Sequence, residues 1–210
     1  CGVRVPLTRE HLPELAPLID LALKRGASRF CVYWLVPSGR GADSYRQLQL
    51  TASDVASALR ILHRYARDTD PSVMEFLTVD GPQDAVYLLR QMEEEGADDL
   101  PAATHLIQSM RGGCSAGVRV ASVSQTGEVY PCQFAQIPEF LAGSIRERPF
   151  SAIWNDPENP VLNRFRRKMS HLTGSCGRCE HREICGGGCR VRAYHHHGDL
   201  TGDDPFCFVG

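Results

Sequence analysis

The sequence has no long apolar run. No stretch of its 210 residues approaches the roughly 18 consecutive apolar side chains that a membrane helix needs, and no charged leader precedes a shorter one. Neither a membrane span nor a secretory signal is expected. A dominant sign of charge is missing too: 23 Lys and Arg against 25 Asp and Glu leave a formal net charge of −2. General nucleic-acid binders usually carry a strongly basic domain, so the charge balance argues against that class. These absences together predict a cytoplasmic protein with neither nucleic acid nor membrane among its partners. Apolar residues are not scarce, at 42%, and a chain of this length can bury an ordinary core as one domain or two small ones. Its nine cysteines are therefore not needed as staples. An odd number cannot pair completely, and thiols stay reduced inside cells, so metal ligation is the better reading.

The first half reads as α/β. Residues 1–7 alternate as a strand, Thr8 is placed to cap the next helix, and Leu15, Leu18, Ile19 and Ala22 share one face of it before Gly26 ends it. Residues 29–36 are nearly continuous in apolar side chains, the pattern of a strand buried on both faces of a parallel sheet. Strand, helix and strand make a βαβ unit. The loop Pro37-Ser38-Gly39-Arg40-Gly41 then falls at the carboxyl end of a strand, where α/β sheets place ligands, although a plain turn reads equally well. Thr51-x-x-Asp54 resembles a capping box for a helix with Val55, Leu59, Leu62 and Ala66 inward. A third strand at 74–79, a helix with Val86, Leu89 and Met92 inward, and a short helix at 101–110 follow.

Composition shifts at residue 111, which is expected to divide a first domain, 1–110, from a second, 111–210. Two strands, 118–123 and 128–130, joined by Ser124-Gln125-Thr126-Gly127 read as a hairpin that brings Cys114 and Cys132 to one open end. Short helices are expected at 149–154 and 161–169. Cys176-x2-Cys179-x5-Cys185-x3-Cys189 and finally Cys207 complete a set of seven thiols in the last third of the chain. Seven ligands are too many for one four-coordinate ion, so two centres are expected, one of them short of a protein ligand. Spacing alone leaves zinc and iron–sulfur chemistry equally open.

Cys114-x12-Gly127-x4-Cys132, the Cys176 to Cys189 run and Cys207 together resemble, without a gap, the seven-cysteine pattern of the SPASM domain. That domain follows the barrel of radical S-adenosylmethionine enzymes and carries auxiliary clusters. The resemblance implies an α/β plus α+β architecture: the carboxy-terminal βα units of a partial TIM barrel (1–110), then a cysteine-rich SPASM domain (111–210). It implies two auxiliary iron–sulfur clusters, of the 4Fe-4S type, one held by Cys114, Cys132 and Cys189 and the other by Cys176, Cys179, Cys185 and Cys207. Some members add a cysteine just after the first; Ala116, Val118 and Val120 stand there in this chain. The first cluster is thus left with three thiolates, and with an open iron or a non-cysteine ligand.

Residues 33–41, 113–117, 143–150 and 185–194 resemble more narrowly the branch that modifies siroheme-derived tetrapyrroles in haem biosynthesis. The implied reaction is removal of side-chain carbon, by decarboxylation or acetate loss, with a tetrapyrrole substrate and an electron-exchanging protein as partners. Arg40 in the glycine loop is a candidate for gripping a substrate carboxylate. Radical initiation in this family requires a Cys-x3-Cys-x2-Cys triplet and S-adenosylmethionine on a third 4Fe-4S cluster. No such triplet occurs here: the Cys-x3-Cys at Cys185 and Cys189 is followed by Val191 and Arg192. The chain, which starts abruptly at Cys1, is expected to be the carboxy-terminal part of a longer enzyme and inactive alone. Rival readings are a peptide-maturing enzyme of the same class and a zinc or iron–sulfur module without catalysis. Cys1 and Cys31 read as small buried hydrophobes, His195 to His197 as a solvated turn, and the many arginines after residue 145 as a basic surface offsetting cluster charge.

Overall fold

The computed structural model describes residues 1–109 and 113–209; the expected domain boundary at 110/111 lies outside the described residues. Three parallel strands, β1 (Gly2–Leu7), β2 (Arg29–Trp34) and β3 (Glu75–Val79), form a sheet in that order. β2 is the middle strand, and Phe30, Cys31, Val32 and Trp34 are buried in it, as its near-continuous apolar run requires. The crossovers are helical. α1 (Leu15–Lys24) buries Leu15, Ile19 and Ala22, and α2 (Arg40–Asp43), α3 (Tyr45–Leu48) and α4 (Ala52–Asp68) connect β2 to β3. Each fully buried Leu, Ile or Phe of this layer contributes about 1.5–3 kcal/mol.

Local signals hold unevenly. The capping box is formed: Asp54 N–H donates to Thr51 Oγ1 at 3.2 Å and Thr51 N–H to Asp54 Oδ2 at 2.8 Å. Thr8 does not cap α1. A 3₁₀ turn (Leu12–Glu14) intervenes, and Thr8 accepts instead from the His11 and Leu12 N–H groups. Ala66 is exposed and Ala58 takes its place in the buried stripe of α4, because a helix returns to one face at i+3 as readily as at i+4. α5 (Asp84–Glu94) and α6 (Leu100–Ser109) close the first half.

The second half starts with a turn where a strand was expected. Gly117, at φ +70°, donates to Val120 and Pro131 carbonyls, and the N–H groups of Val118, Arg119 and Val120 all turn back to Ser115 O. That turn uses up residues 115–120, so β4 is only Ser122–Val123. It pairs antiparallel with β5 (Glu128–Tyr130), and β5 with β6 (Gly143–Ser144), a strand too short to be read from the sequence. Short helices α7 (Phe150–Trp154), α8 (Pro160–Arg166), α9 (Gly174–Arg178) and α10 (Arg182–Cys185) precede α11 (Arg190–His197). The halves interlock: Phe206 is buried in the core of the parallel sheet, and Val36 in the core around Cys132 and Cys189. No described helix is long and apolar enough to cross a membrane.

Candidate metal centres

Two cavities gather the seven thiols. The first, of about 480 Å³, is lined by Cys114, Cys132 and Cys189 together with Asp80, Asp84 and Arg119. Cys132 lies just past β5, Cys114 just before the Ser115 turn, and Cys189 at the start of α11. The hairpin and the helix start therefore bring together thiols that are 18 and 57 residues apart in sequence (132 − 114; 189 − 132). Burial, followed by the neighbouring Cys114 sulfur, pushes the Cys132 thiol up to about 12. Burial likewise pushes Cys189 up to about 12; Arg192 opposes this, and Cys114 adds to it. Backbone N–H groups of Phe134 and Ala135 hydrogen-bond the Cys132 sulfur and favour its thiolate.

The second cavity, of about 410 Å³, is lined by Cys176, Cys179, Cys185 and Cys207. Three successive glycines after Cys185 have positive φ, +59°, +81° and +76°, a path that side chains with a Cβ rarely follow. It turns the N–H groups of Gly187 and Gly188 onto the Cys185 sulfur, whose thiol burial otherwise pushes up to about 11. Burial raises Cys176 to about 12. Among the described residues no three Cys, His, Asp or Glu close tightly enough to hold a single metal ion. The shared cavity is what groups the thiols.

Between the cavities lies a buried ionic network that the sequence did not announce. Asp204 accepts from Arg192 Nε and Nη2, both at 2.7 Å, from Cys189 N–H at 2.7 Å and from Phe206 N–H at 3.0 Å. Arg192 is fully buried, donates also to the Leu35 and Asp80 carbonyls, and lies 4.1 Å over the Phe206 ring. Its charge and the two backbone donors hold Asp204 below the usual carboxylate range despite burial. Arg190, also buried, donates to the Leu200 and Gly202 carbonyls, while its Nε and Nη2 meet no acceptor; its charge favours the Cys176 thiolate. Lys168 is buried with Nζ on Cys114 O at 2.9 Å. These three cations are interior, not part of the basic surface expected. Three or four thiolates per cavity, sulfur-directed N–H groups and buried cations fit an anionic cluster.

Other expected residues lie elsewhere. Arg40 is exposed at the start of α2 and is not in the wall of either cavity; Arg119, which the sequence did not single out, is in the wall of the first. Cys31 is buried as expected, but Cys1 is exposed. His195 to His197 form the exposed end of α11, not a turn, and Gly198 at φ +73° ends the helix.

With this geometry in place, a family model described as an iron–sulfur cluster-binding domain, SPASM, matches residues 114–180. The match includes Cys114, Cys132, Cys176 and Cys179; Cys185, Cys189 and Cys207 lie beyond it and join the SPASM thiols through the two cavities. The chain is 33% identical to the "AdoMet-dependent heme synthase" of Methanosarcina barkeri, over 98% of this chain and 55% of that protein. It is 32% identical to the "Pre-heme d1 synthase" of Dinoroseobacter shibae, over 99% of this chain and 51% of that protein. The chain thus spans about half the length of the curated relatives it matches. In fold it resembles Streptococcus suis SuiB, with a TM-score of 0.61 and 18% identity over 97% of this chain and 44% of that one. The fold is accordingly mixed α/β.

Proposed function

We propose that this chain is the auxiliary-cluster portion of a radical S-adenosylmethionine enzyme that removes side-chain carbon from a siroheme-derived tetrapyrrole in haem biosynthesis. The observation that carries the reading is the division of seven thiols into one three-thiol and one four-thiol cavity, in a chain resembling two haem-forming synthases over nearly its whole length. Among the described residues no three Cys, His, Asp or Glu close tightly enough to hold a single ion. This favours two 4Fe-4S clusters over two zinc ions. In this reading residues 1–110 are the last βα units of a partial TIM barrel and 111–210 the cluster domain, with S-adenosylmethionine and its cluster held outside this chain.

The chemistry that bound clusters would supply is electron acceptance when carbon leaves a substrate radical, with an electron-carrier protein as the onward partner. The chain's own residues do the rest. Gly187 and Gly188 N–H groups and Arg190 stabilise thiolate charge, Lys168 on the Cys114 carbonyl adds a positive charge beside that residue, and Arg119 in the wall of the first cavity would meet a carboxylate of the substrate. Arg40, exposed at the start of α2, is the second candidate for that contact. The full-length protein, purified anaerobically, is expected to form 5′-deoxyadenosine from S-adenosylmethionine when given an iron tetrapyrrole bearing propionates. Deoxyadenosine formation driven by a ribosomal peptide and not by any tetrapyrrole would replace this reading with the peptide-maturing one.

A further inference from the structure

The three-thiol cavity contains a fourth potential ligand. Asp80 follows β3 directly and lines the cavity beside Cys132, whose thiolate its charge disfavours. Its Oδ2 is buried and meets no protein donor, a situation that costs free energy unless something else takes up the oxygen. Asp80 is also, among the described residues, the one non-glycine with positive φ, +70°. Asp tolerates that region better than most residues, but it is uncommon and recurs at functional sites.

Three contacts keep the residue there. Gly81 lets the Trp34 ring sit against the backbone so closely that a Cβ would fall 2.3 Å from Trp34 Cδ1. The Asp80 carbonyl accepts from Arg192 Nη2 at 3.2 Å. The same guanidinium is locked on Asp204, which accepts the Cys189 N–H. One buried ion pair therefore fixes the Asp80 backbone relative to Cys189, a ligand candidate more than a hundred residues away (189 − 80 = 109). Asp84, the other carboxylate of the wall, also has a buried oxygen without a donor, Oδ1, but its Oδ2 is engaged by Trp34 Nε1 at 2.5 Å and its backbone lacks the left-handed φ of Asp80.

We propose that the Asp80 carboxylate is the fourth protein ligand of the centre held by Cys114, Cys132 and Cys189. This rests on the reading of that cavity as an iron–sulfur site. It gives the centre an all-protein ligand set and closes the iron that three thiolates would leave open. A carboxylate is a harder ligand for iron–sulfur iron than a thiolate, so one iron of the centre differs from the other three.

The test uses the full-length protein, anaerobic and reduced, with S-adenosylmethionine in excess to block the initiating cluster, and ¹³C-cyanide as probe of an open iron. Asp80→Asn keeps a side chain that tolerates the left-handed backbone. Wild type is expected to show no ¹³C hyperfine coupling at the first centre, whereas Asp80→Asn gains it with iron content unchanged; Asp80→Cys should again show none. Coupling in wild type as strong as in Asp80→Asn, or an Asp80→Asn spectrum identical to wild type with and without cyanide, overturns the proposal. Folding is checked by circular dichroism, and Cys114→Ala/Cys132→Ala identifies the first centre. If that double variant loses no iron relative to wild type, the cluster reading of the cavity falls, and the proposal with it.

Discussion

Replacing Asp204 with alanine should be among the most damaging single changes available in this fold. The carboxylate takes four donors, two from Arg192 and one each from the Cys189 and Phe206 backbones. Its removal leaves a fully buried guanidinium without its counter-charge and two interior N–H groups without acceptors. Breaking a buried pair by deleting one partner costs about 3–5 kcal/mol, and each orphaned backbone donor about 1–3 kcal/mol before relaxation. A loss of about 4 kcal/mol or more is expected, against a total stability of about 5–15 kcal/mol for an ordinary domain. Asp204 is held below the usual carboxylate range. Its contribution is therefore complete above the unfolded value near 4 and disappears as pH falls through the folded value; between pH 5 and 8 the loss should be constant. Urea unfolding followed by circular dichroism, with both proteins in the same metal state, measures this. The double variant Asp204→Leu/Arg192→Met should recover most of the loss, since a well-packed apolar pair replaces a buried ion pair at little cost. A loss below about 1 kcal/mol for Asp204→Ala, or simple additivity in the double variant, would refute the reasoning.

Two further outcomes follow from the first cavity. Burial pushes the Asp84 carboxyl up to about 7, above its unfolded value, so its ionisation destabilises the fold as pH rises from about 4 to about 7. Asp84→Asn, which can still accept from Trp34, should gain on the order of 2–4 kcal/mol over wild type at pH 8 and nothing at pH 4; a pH-independent difference would contradict this. Arg119→Ala should weaken tetrapyrrole binding to the full-length protein by about tenfold or more, the scale of one charge-assisted contact, and Arg40→Ala by less. Titration of the tetrapyrrole absorption band gives both values, and the reverse order would return the contact to the glycine loop.

What the sequence made legible was whatever depends on neighbours along the chain. The Thr51 capping box, the apolar run of β2 and the hairpin turn at Ser124 to Gly127 are short-range patterns, and each appears where expected. The seven thiols stand out by spacing; their division into sets of three and four comes from resemblance and is a proposal, with Cys114, Cys132 and Cys189 lining one cavity and Cys176, Cys179, Cys185 and Cys207 the other. Contacts between distant segments were not legible. Although Val191 and Ala193 beside them are apolar and buried, Arg190 and Arg192 read as surface charge because the residues that neutralise them and accept their hydrogen bonds are distant in sequence. Their partners are carbonyls at Leu35, Asp80, Leu200 and Gly202 and a carboxylate at Asp204. Strand 118–123 failed for a local reason that was visible but misweighted: Gly117 permits a turn, and the Ser115 carbonyl collects three N–H groups to make it. Asp80 directly follows β3, but its position in the first cavity depends on Arg192 and is not visible from its own neighbours.

The division of thiols is the central claim, and iron counting tests it most directly. Anaerobically purified full-length protein, assayed for iron and acid-labile sulfide, should lose about four irons in Cys114→Ala/Cys132→Ala and a different four in Cys176→Ala/Cys179→Ala, each pair leaving the other centre's electron paramagnetic resonance signal in place. Loss of both signals from either pair, or a protein that contains zinc and no sulfide, would contradict it.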